Sequence, residues 1–330
     1  MRVKRRTWRA LWTALKWLPV LAAAALLYIY IRPPSRAQPA DIRVDASPER
    51  IERGQYLFTA LADCDGCHSE RDFSRLGGPV VSSGRGKGMV MPLEGLPGRI
   101  VASNITPDKE TGIGSWTDGE KIRAIREGIG KDGRALFPLM PYEQYRSMAD
   151  EDVQALVAYM NALPPVKNAL PRTEVSFPAS IWIKSNPAPV THEVPTPDPD
   201  GGEIFGEYLA TLANCEGCHT PAIGRNPDTS LRFAGGRIFA TSFGTVASAN
   251  ITPDEATGIG SWTITQFLER MRQYRRYDAQ APPVAGPGDF TWMPWAAYSR
   301  LSDADLEALF LYVRSRTPVS NRVDIHPGRN

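Results

Sequence analysis

Cysteine is scarce in this chain, with 4 in 330 residues. All four fall inside two five-residue stretches, Cys64-Asp65-Gly66-Cys67-His68 and Cys215-Glu216-Gly217-Cys218-His219, so no thiol is left for a structural disulfide. Histidine is equally scarce, and two of its 4 copies close these stretches. The others, His192 and His326, have no counterpart of one another and read as surface residues. Acidic residues are missing from residues 1–36, which hold eight basic ones (Arg2, Lys4, Arg5, Arg6, Arg9, Lys16, Arg32 and Arg36). Beyond that segment 30 basic residues face 36 acidic ones, a net of −6, so the overall +2 hides an acidic body behind a basic leader. Nothing in this balance suggests a nucleic-acid binder.

The two stretches share the pattern C-x-x-C-H, which reads as a c-type haem attachment site. The two thiols add across the haem vinyl groups, and the adjacent His becomes the proximal ligand of the iron. A lone C-x-x-C also suits a redox dithiol or half a zinc site, and two of them suit a four-Cys zinc site. The His directly after the second Cys, present both times, argues against both. The reading is two covalently bound haem c groups. Cys64 and Cys67 carry one, Cys215 and Cys218 the other, with His68 and His219 as axial ligands.

Further blocks repeat around the motifs. Gly54-x-Tyr56-Leu57 precedes Cys64, and Gly206-x-Tyr208-Leu209 precedes Cys215. Asn104-Ile105-Thr106-Pro107-Asp108, followed by Thr111-Gly112-Ile113-Gly114-Ser115-Trp116, recurs from Asn250 to Trp262. A helix is expected after each Trp, because Thr117 with Glu120 and Thr263 with Gln266 have capping-box spacing. Phe137-Pro138-Leu139-Met140-Pro141-Tyr142 recurs as Phe290-Thr291-Trp292-Met293-Pro294-Trp295, each ahead of a closing helix, the second with Ser302 and Asp305 at cap spacing. The copies lie 151 residues apart at the cysteines (64 to 215), 146 at the Asn (104 to 250) and 153 at the Met (140 to 293). Near-constant offsets mark a tandem duplication, not a short-period solenoid. The expected domains are residues 50–165 and 201–317, with a Pro-rich linker at 166–200 and a tail at 318–330. Phe177, Ile181, Trp182 and Ile183 are too apolar for a free linker, so part of it is expected to pack.

A proximal His leaves the sixth iron position to be filled, and a Met thioether there raises the potential. The first half offers Met89, Met91, Met140, Met148 and Met160, the second only Met271 and Met293. Only Met140 and Met293 occupy equivalent positions, each before a Pro, which selects them as axial ligands; the bland alternative is core filler. Trp116 and Trp262 suit either a haem wall or plain packing. Asn104 and Asn250 suit a turn before Thr-Pro better than a bond to a propionate. Tyr142 and Trp295 are expected to cover the haem edge. Arg99 and Arg237 suit solvent better than propionates.

Residues 10–31 carry one charge, Lys16, and at about 1.5 Å per residue are long enough for a bilayer core of roughly 30 Å. With the basic residues 1–9 before it, this stretch is expected to be a single inner-membrane span with the haem domains outside, in the periplasm. Residues 32–49 then form a polar tether. The competing expectation is a cleaved signal peptide and a soluble periplasmic protein.

On C-x-G-C-H, N-I-T-P-D-x-x-T-G-I-G-x-W and the Met-Pro-aromatic turn, the chain resembles class I c-type cytochromes. More narrowly, it resembles the multihaem cytochrome c subunits of bacterial membrane-bound alcohol, gluconate and aldehyde dehydrogenases. The resemblance covers both repeated domains. It implies an all-α fold, two tandem class I cytochrome c domains after an N-terminal transmembrane helix. It also implies electron relay from a periplasmic dehydrogenase subunit to quinone or a terminal oxidase. Two filled axial sets favour an electron-transfer protein. The rivals are a dihaem enzyme such as a peroxidase, which needs an open iron position, and a cytochrome subunit of a terminal oxidase.

Overall fold

Local sequence sets the ends of the main helices in a computed structural model of the chain. The structure describes residues 2–224, 226–278, 282–286 and 289–327, without the side chains of 2–14, 25, 26, 82 and 278. Helix α1 (Arg2–Ile31) is followed by an extended segment and by α2 (Pro48–Tyr56). Ser47 caps α2 by accepting from the Arg50 N–H, and Pro48 opens it, where a missing N–H costs nothing. The chain continues through a wide turn, Leu57–Leu61, into the short α3 (Cys64–His68). Strands β1 (Met89–Val90), β2 (Gly98–Arg99) and β3 (Val101–Ala102) precede α4 (Asp118–Glu127). The Thr117–Glu120 capping box is formed on α4, and Gly128 ends it at φ 72°. Helices α5 (Tyr142–Tyr145) and α6 (Asp150–Ala162) close the first half.

The linker carries β4 (Glu174–Val175) and α7 (Ala179–Trp182). The second half repeats the order: α8 (Glu203–Leu212), α9 (Cys215–His219), the β5 (Ala222–Ile223) and β6 (Asn226–Pro227) pair, β7 (Ile238–Thr241), β8 (Gly244–Ala247), α10 (Ile264–Arg272), α11 (Trp295–Tyr298) and α12 (Asp303–Arg314). The Thr263–Gln266 box and the Ser302 cap are formed as expected. In each half the first and last helices meet at a glycine. A Cβ on Gly54 would overlap the Ala155 carbonyl, and one on Gly206 the Ala308 carbonyl. This is why Gly stands two residues before the Tyr in both copies.

The all-α, two-domain expectation is corrected. Antiparallel pairs β1–β3, β2–β4, β5–β6 and β7–β8 accompany the helices. These strands of two to four residues lie in the loops between helices, where chain segments run close enough to pair. Instead of two separate cores, one cluster runs from Leu57, Leu61 and Leu156 in the first half to Leu209, Leu212 and Leu306 in the second.

The N-terminal expectation is corrected too. Among the described residues no helix is long and apolar enough to cross a membrane, so the span over residues 10–31 and the inner-membrane placement built on it do not stand. Lys16 cuts the charge-free part to residues 17–31, with Pro19 inside it. At about 1.5 Å per residue these 15 residues reach roughly 22 Å, short of a core of about 30 Å. Side chains 10–14, 25 and 26 of the expected span lie outside those described.

The segment after α1 is not a free tether. Val44 is buried and donates its N–H to Asp118 (2.9 Å), while Arg123 donates to the Ala37 carbonyl (3.3 Å). The linker is likewise strapped to the first half: β4 pairs with β2, Ile183 is buried, and the Val194 carbonyl accepts from the Asp150 N–H (2.9 Å). Phe177 stays exposed.

The halves join through a reciprocal contact. Tyr208 of α8 donates to Asp152 of α6 (2.6 Å) and accepts from the Ala149 N–H (3.1 Å). Its counterpart Tyr56 of α2 donates to Asp305 of α12 and accepts from the Ser302 N–H (3.1 Å). The same residues used from both sides are what a two-fold relation produces. A second seam runs along the strands, where Leu93 bridges to Thr241 and the Glu94 N–H donates to the Ala240 carbonyl (2.8 Å).

Asp152 is also held by Arg53 through two bonds (2.8 and 2.9 Å) and is buried. Tyr208→Phe removes a neutral partner from a buried carboxylate. It should lower the unfolding free energy by about 1.5–3 kcal/mol, read by denaturant titration. Tyr56→Phe, at the more open Asp305, should cost less. A Tyr208→Phe loss no larger than that of Tyr56→Phe would show that burial of the acceptor does not set the strength of the seam.

Candidate functional site

Each C-x-x-C-H stretch is a single helical turn entered from a left-handed residue, Asp63 (φ 44°) or Asn214 (φ 52°). Asp and Asn tolerate this conformation better than other residues with a Cβ. The glycine of the motif is fixed by the same residue: a Cβ on Gly66 would collide with the Asp63 carboxylate, and one on Gly217 with the Asn214 amide. An arginine then ties down each glycine carbonyl. Arg71 donates to the Gly66 carbonyl (3.2 Å) in the first half, Arg237 to the Gly217 carbonyl in the second. A salt bridge flanks each turn, Arg85–Asp65 at 2.9 Å and Arg232–Glu216 at 2.7 Å.

The histidines sit in matching frames. His68 Nδ1 lies 2.7 Å from the Ser103 carbonyl, and His219 Nδ1 lies 2.7 Å from the Ala249 carbonyl. A carbonyl only accepts, so Nδ1 carries the proton and Nε2 keeps its lone pair. Burial lowers the pKa of both rings, partly offset by these bonds, so the imidazoles are neutral. A neutral imidazole oriented by an Nδ1–H bond to a backbone carbonyl is suited to bind a metal through Nε2. The donor chemistry therefore fits an iron porphyrin attached at the neighbouring cysteines.

The Asn-to-Trp block holds that carbonyl in place. Asn104 Oδ1 accepts from the Thr106 N–H (3.0 Å) and hydroxyl (2.7 Å), while its Nδ2 donates to Thr111 (3.1 Å) and to the Val166 carbonyl (2.8 Å). Asn250 repeats this with Thr252 (2.9 and 2.7 Å), Thr257 (3.0 Å) and the Val319 carbonyl (2.8 Å). The expected turn is formed. The chain leaving each closing helix thus returns to lock the residue just after the His acceptor. A short repeat records this return, Pro165-Val166-x-Asn168 and Pro318-Val319-x-Asn321, and sequence reading passed over it.

Met140 and Met293 occupy equivalent turns: Pro141 and Pro294 follow at φ −81° and −80°, and α5 and α11 begin next. Both Met side chains are half-buried against the core cluster that also carries Cys64 and Cys215, whereas Met91, Met148 and Met160 are buried core. Tyr145 of α5 donates to the Ala62 carbonyl (3.2 Å), and Tyr298 of α11 to the Ala213 carbonyl (2.7 Å). Each Met turn is thereby fastened two residues ahead of its first cysteine.

Tyr142 is buried with its ring against Gly128, and Trp295 stacks on Tyr274 at 5.0 Å, so both serve the packing of the Met turn on neighbouring segments. Trp116 and Trp262 are half-buried against the core. Arg99 is exposed and pairs with Glu174 (2.7 Å). His192 is exposed; His326 is half-buried, next to Ile325, which packs on the same Phe239, Val246 and Phe290 cluster as Cys218. Among the described residues no group of three His, Cys, Asp or Glu is arranged to hold a bare metal ion, the arrangement a zinc site would need. Burial pushes the Cys67 and Cys215 thiols up to about 12, the reverse of an activated dithiol.

No family model matches the chain. It is 37% identical over 301 residues to the fructose dehydrogenase cytochrome subunit of Gluconobacter japonicus, covering 85% of this chain and 55% of that protein. It is 30% identical over 282 residues to the gluconate 2-dehydrogenase cytochrome c subunit of Pantoea cypripedii, covering 82% and 60%. With a diheme cytochrome c-type protein of Cereibacter sphaeroides it shares 30% over 210 residues, covering 61% and 67%. The chain thus spans little more than half the length of the dehydrogenase subunits it matches.

Asp63 and Asn214 give the site a pH test. Burial pushes the Asp63 carboxyl up to about 7, against the pull of Arg71. A carboxyl whose folded pKa lies above its unfolded value near 3.9 weakens the fold as pH rises from about 4 to 7, and the loss is then constant. Asp63→Asn, which installs the residue of the second copy, should gain about 1–3 kcal/mol at pH 8, a gain that shrinks toward pH 4. Thermal unfolding across that range reads it; a pH-independent difference would mean the carboxyl is not charged at a cost.

Proposed function

The chain belongs to the c-type cytochromes, and from that premise we propose that it binds two haem c groups and relays electrons between a dehydrogenase subunit and a quinone or oxidase acceptor. The matched His frame, with Nδ1 at 2.7 Å from a backbone carbonyl in both halves, supports two equivalent proximal sites. On this reading Cys64 and Cys67 hold one group and Cys215 and Cys218 the other. His68 with Met140, and His219 with Met293, are the axial pairs. When bound, each iron supplies a one-electron Fe(III)/Fe(II) couple.

The residues do the rest. The carbonyls of Ser103 and Ala249 hold each imidazole in the tautomer that presents Nε2. The Tyr145 and Tyr298 bonds keep each Met turn at a fixed distance from its cysteines. With both axial positions filled, nothing in either pocket needs to bind a substrate, which favours relay over catalysis at iron. The dehydrogenase partner follows the relatives, two of which are subunits of fructose and gluconate dehydrogenases.

The intact protein should contain two covalent haems by mass and show low-spin spectra that peroxide and CO leave unchanged. A high-spin or CO-binding iron in the unmodified protein would overturn the relay reading. Met293→Ala should keep the second haem attached, lower its potential and open it to CO, while the first site is unaffected. An unchanged potential with no CO binding would reassign the ligand.

A further inference from the structure

The repeat is broken at one position beside the Met ligands. Leu139 precedes Met140, whereas Trp292 precedes Met293. Trp292 packs on two clusters at once. One is built on Met91, Ile100 and Ala102 and carries Cys67; the other is built on Phe239, Val246 and Phe290 and carries Cys218. Leu139 packs on the first of these only. The Trp292 ring lies nearly parallel to Phe73 of the first half (centroids 6.2 Å, 5°) and to Phe239 of the second (6.1 Å, 12°). The Arg71 guanidinium, which also holds the Gly66 carbonyl, lies 5.8 Å from its centroid.

These contacts put one large ring at the seam, on the two clusters that also carry the second cysteine of each motif. The halves are related as by a two-fold, so a position near that relation meets its own counterpart. Leu139 and Trp292 do pack on the same Met91, Ile100 and Ala102 cluster, one with a small side chain and one with a large ring. Leu93 is the other apolar residue shared by the two clusters, and it lies on the strand seam with Thr241. The two haem attachment turns therefore approach each other through packed side chains.

We propose that Trp292 is the bridging residue for electron passage between the two haem sites. This rests on the relay reading. One electron leaves one iron, Fe(II) becoming Fe(III), and arrives at the other, Fe(III) becoming Fe(II). Trp292 itself is neither oxidised nor reduced. Its part is to keep the path filled with polarisable atoms in contact, where a smaller side chain would leave a gap with fewer close atom contacts.

The test is intramolecular electron equilibration in the intact dihaem protein, after rapid reduction of one site, in wild type, Trp292→Phe and Trp292→Leu. Potentials of both sites and visible circular dichroism are measured alongside, because ligation and haem orientation must be the same for the rates to be compared. Trp292→Phe should stay close to wild type, and Trp292→Leu should be severalfold slower with both potentials unchanged. A wild-type rate in Trp292→Leu overturns the proposal. Where Trp292→Leu disturbs the Met293 site, Phe73→Leu takes its place. It removes the stacked ring from the first half without touching that turn, so slower passage supports the bridge and an unchanged rate overturns it. Absence of any equilibration in the wild-type protein would instead sink the relay reading.

Discussion

The hydrogen bond from each histidine Nδ1 to a backbone carbonyl is the constraint on which the rest of each half converges. It fixes the tautomer, and so decides which ring nitrogen keeps a lone pair free to bind a metal. A carbonyl at the end of a loose loop could not do this. The acceptors at Ser103 and Ala249 are fixed because the next residue, Asn104 or Asn250, is buried and bonded on both sides of its amide. One of those bonds reaches the chain that returns from the closing helix. The closing helix in turn crosses the opening helix where Gly54 or Gly206 lets the backbones touch. The opening helix runs into the cysteine turn. Cysteines, histidine, Asn block and both helices thus form one closed circuit in each half.

The seam between the halves follows a different logic. Tyr56 and Tyr208 are at once side chains of the opening helices and hydrogen-bond donors to the closing helix of the other half. A change in one circuit is therefore felt in the other. Burial raises the pKa of both tyrosines, and the carboxylate acceptors raise it further, so each stays a neutral donor across the ordinary pH range. The result is a single core shared by two repeated Cys-His frames, even though the sequence is duplicated.

What was legible in the sequence is local: the C-x-x-C-H residues share one short turn in each half, and the capping residues Thr117, Thr263 and Ser302 act within three residues of themselves. The turn role of Asn104 was legible for the same reason. Contacts across long sequence distances were not. Tyr56 meets Asp305 from 249 residues away, and nothing local to either residue announces it. Arg71 and Arg237 hold equivalent carbonyls from non-equivalent positions, so comparing the copies hides both. The strands are two to four residues long and owe their existence to tertiary proximity. The N-terminal stretch misled because length and apolar content were counted across Lys16.

Duplication also bears on what can differ between the two sites. The His frame, the Met turn and the Tyr fastening are the same in both, so these parts offer little room for divergence. Some of the residues that break the repeat lie close to the cysteine turns. Asp63 is matched by Asn214. Asp65, buried and bonded to Ser69 and Arg85, is matched by Glu216, which sits in a far more open pair with Arg232. The first turn therefore has one buried and one half-buried carboxyl where the second has one amide and one half-buried carboxylate. Interactions between charges are weakened least where water is excluded. Under the proposed ligation, a difference in potential between the two sites would originate in such residues. The side chains outside the repeat are thus where the two frames acquire separate electrostatic characters, and Trp292 stands where the frames meet.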